Sequence, residues 1–305
     1  MHLITLKDWP AEDVGKVIES SMELKAAPDR YAAAMKGRNL ALLFQKTSTR
    51  TRYTGEIGMY QLGGHAVYMD WDATNFGLAD LGDEIRVLSL YADFILVRLL
   101  KHADVVHATQ TSRVPVINGC CDRYHPMQAL ADLTTIREKV GKLEGIRLTY
   151  VGIHNNVCNS LIAAGMKMGM KITVVAPELN PAAIDEPLYQ AAQQAGLYEK
   201  TEDLHAALKE TDVVYTDTWI DMEYFTDPSF AAEKERRIQL FQPYQLNGDL
   251  LQNLDLRIMH CLPAHRGYEI DAALLDDPRS IIFDQAENRL HSQKAVLLKL
   301  ADKLS

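Results

Sequence analysis

A chain of 305 residues that is 47% hydrophobic and 24% charged can bury one large core or two medium ones. A formal net charge of −9 with no strongly basic segment argues against nucleic acid and anionic membranes as partners, yet leaves room for a small anion in a local basic pocket. The four cysteines (Cys120, Cys121, Cys158, Cys261) have no C-x-x-C spacing and are too few for a disulfide scaffold, so a reducing compartment is expected.

The N-terminal "MHLITLKDWP" lacks a basic segment followed by an apolar core, and no stretch approaches the ~18 unbroken apolar residues of a membrane span. A cytoplasmic protein is expected. In chain order, short apolar runs predict strands at 39–44, 65–69, 94–98, 114–118, 146–152, 171–177, 212–219, 257–262 and 280–284. Between most of them the spacing is helical, as in Tyr53, Ile57, Tyr60 and in Leu81, Ile85, Leu88. Gly63-Gly64 marks the stop of the first of these helices. Strands alternating with helices predict an α/β fold of parallel sheets covered on both faces. Two sheets are favoured over one. The segment 125–145 reads as a long helix with Pro126 in its first turn, long enough to join them. Residues 288–304 read as a C-terminal helix. No internal repeat or low-complexity tract stands out.

The densest chemistry lies at 44–52, "FQKTSTRTR", where a strand gives way to a helix. The first N–H groups of a helix have no internal partner, and its dipole adds partial positive charge there. Ser48, Thr49 and Thr51 add hydroxyls; Arg50 and Arg52 add forked, permanently charged donors. A dianionic phosphate fits that set. A helix cap with solvated arginines is the plainer account, and Ser48 alone would favour it. The run of adjacent donor-bearing side chains favours the anion. The stretch is not a Walker P-loop, because G-x-x-x-x-G-K-[ST] is absent.

"STRTR" after a strand resembles the carbamoyl-phosphate motif of the aspartate and ornithine carbamoyltransferases, and "FQKT" before it resembles the ornithine branch. Further segments resemble that family in order along nearly the whole chain: "LVRLLKHAD" (96–104), "YHPMQALAD" (124–132), "HNNVCNSL" (154–161), "YTDTW" (215–219), "HCLPAHRG" (260–267) and "AENR" (286–289). The resemblance implies two domains, each a parallel sheet flanked by helices, joined by a long helix. Residues 1–135, completed by the helix 287–305, would bind carbamoyl phosphate; residues 136–286 would bind the amine.

The implied reaction is attack of a neutral amine on the carbonyl carbon of carbamoyl phosphate, with phosphate leaving. It needs the phosphate charge held, donors ready for the developing oxyanion, and the amine in line. By resemblance, Ser48, Thr49, Arg50 and Thr51 hold the phosphate with Arg98. Thr51, Arg98 and His125 face the carbonyl oxygen. Gln128, the backbone carbonyls of Cys261 and Leu262, and Arg289 orient the carbamoyl NH2. Asn156 and Asp217 match positions for the α-carboxylate and α-ammonium of an amino acid such as L-ornithine. Cys261, as a thiolate, or Asp217 would help manage the amine proton. The plainer accounts are a capping His125, a surface Gln128 and a buried, inert Cys261. Cys120, Cys121 and Cys158 read as structural.

The sequence departs from the family in "TDTWIDMEYFTDP" (216–228), where Asp221-Met222-Glu223 stands for Ser-Met-Gly. Asp221 and Met222 are expected amine contacts. Asp221 either accepts from the same ammonium or signals a different diamine or diamino acid, such as putrescine, lysine or a shorter homologue. Asn75 stands where the family often donates a histidine or glutamine across a subunit interface, implying a homotrimer, or a multiple of trimers, with shared sites. A dinucleotide-dependent oxidoreductase is disfavoured because "GIHNNV" replaces G-x-G-x-x-G. A noncatalytic phosphate-binding regulator would need no Asp217, Cys261 and Asn156 together. Lys46, Asp217-Cys261 and "HCLP" point away from the aspartate branch. No metal-ligand spacing stands out and no cofactor is expected.

Overall fold

The computed structural model describes residues 1–220 and 224–304. Glu223 and the expected amine contacts Asp221 and Met222 lie outside the described residues.

The chain opens with α1 (Ala11–Ala26) and then alternates strands and helices. The first half contributes β1 (Asn39–Phe44), α2 (Thr49–Gln61), β2 (His65–Asp70), α3 (Leu81–Leu88), β3 (Phe94–Arg98), α4 (His102–Thr111) and β4 (Val116–Cys120). These strands form a parallel sheet in the order β2-β1-β3-β4. After α5 (Pro126–Val140) come β5 (Arg147–Val151), α6 (Asn156–Lys167), β6 (Lys171–Val175), α7 (Glu186–Gln194), β7 (Tyr198–Thr201), α8 (Leu204–Lys209), β8 (Val213–Thr216), α9 (Ala231–Phe241) and β9 (Arg257–His260). They build a second parallel sheet, β7-β6-β5-β8-β9. The central strands β1, β3 and β5 are buried nearly end to end, as the unbroken apolar runs require of strands covered on both faces.

Helix α5 links the sheets. Every residue from Pro126 to Ile136 is buried, and its C-terminus closes on Gly141 in the left-handed region, φ 88°. The last helix, α10 (Ile282–Leu300), packs against α5, α1 and α2. Among the described residues no helix is long and apolar enough to cross a membrane.

The structure corrects several expectations. Residues 280–284 are not a strand: Ser280 makes a single bridge to Ile258, and α10 begins at Ile282. A run as short as Ile281-Ile282-Phe283 reads equally as strand or as the start of a buried helix, and here the bond of Ile281 N–H to the Ile258 carbonyl ends the pairing. Strand β7 carries no apolar run; it is an edge strand with Glu199 and Lys200 exposed, a composition that discourages further pairing. Helix α2 is where the spacing put it, but the stripe faces outward: Tyr53 is 65% and Tyr60 75% exposed. Its buried face is instead Thr51, Thr54, Gly55, Gly58 and Met59.

The turn after α2 depends on Gly63. Its φ is 85°, and a Cβ there would lie 2.5 Å from the Ala32 carbonyl oxygen. Gly63→Ala combines left-handed strain with a backbone clash and is expected to lower stability by about 1–3 kcal/mol, read from thermal or urea unfolding. An unchanged midpoint would show that the Ala32 segment yields.

Candidate active site

Ligands of open parallel sheets bind beyond the carboxyl ends of strands, where the strand order reverses. The first sheet reverses between β1 and β3, and the second between β5 and β8. The stretch Ser48–Thr51 follows β1, and Arg98 ends β3. Asn155 and Asn156 follow β5, and Asp217 follows β8. The two crevices bring the phosphate-type and amine-type residues to one place by topology.

On the first side, Ser48 caps α2, its hydroxyl accepting from Thr51 N–H at 3.3 Å. Thr49 and Arg50 are the next residues of that first turn, where helix geometry leaves N–H groups without internal partners. Thr51 is 1% exposed, and its hydroxyl accepts from Arg289 of α10 at 3.1 Å. Arg289 also donates to the Gln128 side-chain oxygen. Arg50 donates to the Leu262 carbonyl, reaching across from the first side of the crevice to the second. Arg52, by contrast, turns away: it pairs with Glu56 at 2.9 Å and lies 3.7 Å from the Tyr68 ring centre.

The electrostatics favour an anion. Burial pushes the Arg289 guanidinium down to about 10, and the nearby Arg50 and Arg98 push the same way against Asp132. Burial also lowers Arg50, with Arg98 adding repulsion and Cys261 and Asp217 opposing it. Among the described residues the buried Nε atoms of Arg98 and Arg289 have no hydrogen-bond partner. Buried cations that repel one another are costly, and a dianion relieves that cost.

His125 is buried before the first turn of α5, its backbone N–H held by the Ser160 hydroxyl at 2.7 Å. Burial, followed by Arg289, Arg98, Lys46 and Arg50, pushes its imidazole well below the ordinary range. A neutral ring results, which can donate a single N–H to a carbonyl oxygen. Among the described residues its Nδ1 has no hydrogen-bond partner.

On the second side, the Asp217 carboxylate is buried and well supplied with donors. Oδ1 accepts from the Cys261 thiol and from Thr218 N–H, each at 2.8 Å. Oδ2 accepts from the Asn155 amide at 2.8 Å. A carboxylate has about four acceptor positions, so Oδ2 retains one for an ammonium. Burial first, then the Asp217 charge and its hydrogen bond, pushes the Cys261 thiol well above its usual value. The thiolate considered from the sequence is therefore disfavoured; Cys261 is a neutral donor to Asp217. The loop after β9 is pinned by His260, whose Nε2 meets Glu269 at 3.0 Å and whose Nδ1 accepts from Leu262 N–H at 2.8 Å. Donor atoms of Asp217, His260 and Cys261 lie within 4.8 Å of one another. Both His260 ring nitrogens are engaged in these bonds, so the trio is a hydrogen-bonded network rather than a set of open metal ligands.

Two expected residues stand apart. Asn75 is exposed on the short 3-10 turn Asn75–Gly77, and among the described residues no hydrogen bond joins it to the cluster. Asn156 points its amide at the Cys121 carbonyl (2.5 Å) and the Cys120 sulfur (3.3 Å). The residue that reaches Asp217 is its neighbour Asn155, which caps α6 with its Oδ1 while its Nδ2 clamps the carboxylate. Sequence reasoning missed it; the Asn-Asn pair at the end of β5 was the available signal.

Comparison with known proteins identifies the family. The carbamoyl-P binding domain model of aspartate/ornithine carbamoyltransferases matches residues 1–138, and the Asp/Orn binding domain model matches 144–300. The ornithine carbamoyltransferase of Thermococcus kodakarensis is 40% identical over 306 residues, covering 97% of this chain and 94% of the relative. That of Halalkalibacterium halodurans is 42% identical over 308 residues, covering 98% and 94%. The solved ornithine carbamoyltransferase of Pyrococcus furiosus superposes with a TM-score of 0.89 at 40% identity, covering 97% of this chain and 96% of that one. The Thermus thermophilus structure gives 0.87 at 36% identity, covering 100% and 99%. With both domain models matched and relatives similar along nearly their whole length, the chain belongs to the aspartate/ornithine carbamoyltransferase family.

Proposed function

We propose that the chain moves the carbamoyl group of carbamoyl phosphate to the side-chain amine of L-ornithine, giving L-citrulline and phosphate. The observation that carries this reading is the convergence of Arg50, Arg98 and Arg289 on the start of α2, opposite a buried carboxylate paired with a neutral thiol. The half built on the first sheet, with α10, holds the phosphate donor (residues 1–135 and 287–305); residues 136–286 hold the amine.

The chemistry follows from those groups. Phosphate oxygens take the N–H groups of the α2 start, the hydroxyls of Ser48, Thr49 and Thr51, and the Arg50 and Arg98 guanidinia. The neutral amine lone pair attacks the carbonyl carbon. The carbonyl oxygen gains negative charge and is met by Thr51, Arg98 and His125 N–H. The C–O bond to phosphate then breaks, and the proton lost by the amine nitrogen is taken up by the departing phosphate, which leaves as hydrogen phosphate. The Asp217 carboxylate holds the α-ammonium and so sets the amine in line. The side-chain amide of Asn156, once it leaves the Cys121 carbonyl, serves the α-carboxylate. Asp221 and Met222, outside the described residues, are kept as amine contacts on the resemblance alone.

A homotrimer, or a multiple of one, accounts for two further features. The outward face of α2 exposes Tyr53 and Tyr60, and Leu78 (85% exposed) and Tyr91 (72%) are further exposed apolar side chains that a partner subunit could cover. Asn75 sits exposed beside Leu78, free to serve a neighbouring subunit's donor site. The test is phosphate release from carbamoyl phosphate with ornithine, lysine, shorter diamino acids and putrescine, on protein whose mass is measured by sedimentation. Ornithine-dependent release by a species of about three chain masses is expected. No amine-dependent release would refute the enzyme, and a preference for putrescine would refute the acceptor.

A further inference from the structure

The mechanism makes no use of a fully buried carboxylate close beneath the site. Asp132 lies one turn after Gln128 on α5 and is 0% exposed. Its Oδ1 accepts from the side-chain amides of Gln128 (2.8 Å) and Gln285 (2.7 Å), and its Oδ2 from the Tyr215 hydroxyl at 3.2 Å. None of the three donors is a cation. They come from α5, α10 and β8, elements that each carry a site residue: Gln128 itself, Arg289 and, past the strand end, Asp217. The Gln285 oxygen accepts from His260 N–H at 3.1 Å, so the end of β9, which leads to Cys261 and Leu262, hangs on the same node.

We propose that Asp132 is a positioning residue that makes the site selective for a carbamoyl over an acyl group. The inference rests on the proposed carbamoyl-phosphate site and deepens it. The Gln128 amide has two ends. Its Nε2 is committed to Asp132, and its Oε1 faces Arg289. A flipped amide would set oxygen against carboxylate and N–H against guanidinium, so the two contacts hold one orientation. In that orientation Oε1 keeps a second lone pair for a substrate N–H. Carbamoyl phosphate offers an NH2 there; acetyl phosphate, its near isostere, offers a methyl. A site built to receive an N–H discriminates only while its acceptor is fixed. Asp132 fixes it without touching substrate. Burial pushes its carboxyl up to about 7, against the hydrogen bonds of Gln128 and Gln285 and the charge of Arg289. Such a burial cost is consistent with a role other than stability.

The test compares the KM of carbamoyl phosphate with the inhibition constant of acetyl phosphate. Asp132→Leu keeps the shape and removes the acceptor; it is expected to raise the KM about tenfold and to change acetyl phosphate inhibition less than about twofold. Asp132→Asn keeps an acceptor oxygen and should retain most of the discrimination. Asp132→Ser, whose oxygen falls short of Gln128, replaces the leucine variant if that one does not accumulate. Equal weakening toward both phosphates, or unchanged discrimination, overturns the proposal. Gln128→Ala separates the two levels. If it leaves discrimination intact, the carbamoyl contact itself is wrong. If it abolishes discrimination and Asp132→Leu does not, only the role of Asp132 falls.

Discussion

Arg50→Ala is expected to lower kcat/KM for carbamoyl phosphate by on the order of 10^3-fold, with no loss of thermal stability. The two halves of that result have one cause. The charge of Arg98 lowers the proton affinity of Arg50, and Arg50 and Arg98 together lower that of Arg289, at positions where burial already opposes charge. Removing one cation takes away phosphate binding and a donor that spans the crevice to Leu262. It also relieves repulsion among the neighbouring guanidinia. A structural arginine would show the reverse pattern, with activity loss tracking a lower melting temperature. Arg50→Lys restores charge but not the fork, and should recover only part of the rate. Wild-type activity in Arg50→Ala would refute the phosphate role.

Asp217→Asn is expected to raise the KM for ornithine by about 10^2-fold or more while leaving carbamoyl phosphate binding within about twofold. The substitution costs the ammonium its counter-charge. It also turns an amide N–H2 toward the Asn155 amide, which now donates to Oδ2, so two donors would confront each other. The discriminating substrate is 5-aminopentanoate, which is ornithine without its α-amino group. Wild type should prefer ornithine strongly; Asp217→Asn should barely distinguish the two. If the variant is equally impaired toward both, Asp217 acts on the reacting amine rather than on the α-ammonium.

The parts of this site that were legible in the sequence are those whose chemistry is contiguous. Ser48 to Thr51 sit side by side at the end of an apolar run, so capping and helix-start physics locate them without long-range information. Arg98, Asp217 and Cys261 each close or follow an apolar strand, and the strand-end rule does the rest. What could not be read depends on partners far apart in sequence. Asn155 and Asn156 are indistinguishable as letters; which of them reaches Asp217 is settled by the entry of α6, where one caps the helix and the other turns to Cys121. Asp132 meets Gln285 across 153 positions and Tyr215 across 83, with no local pattern to announce either. The same limit explains the stripe of α2. Spacing tells that Tyr53, Ile57 and Tyr60 share a face but not what lies against it, and the glycines on the opposite face admit Leu42 and α10 instead.

Helix α10 gives this enzyme a fixed order of completion. Arg289 reaches Thr51 over 238 positions, and Gln285 supports Asp132 and the His260 backbone from the same helix. The strands of both sheets and the anion-binding turn precede it in the chain, so a nascent polypeptide carries nearly every site residue before it carries a site. Until α10 docks, the oxygen of Gln128 lacks Arg289 and the α5 carboxylate lacks one of its donors. A chain that stops short of Gln285 would thus carry both sheets and no working centre, and turnover can begin only once α10 has been made and docked.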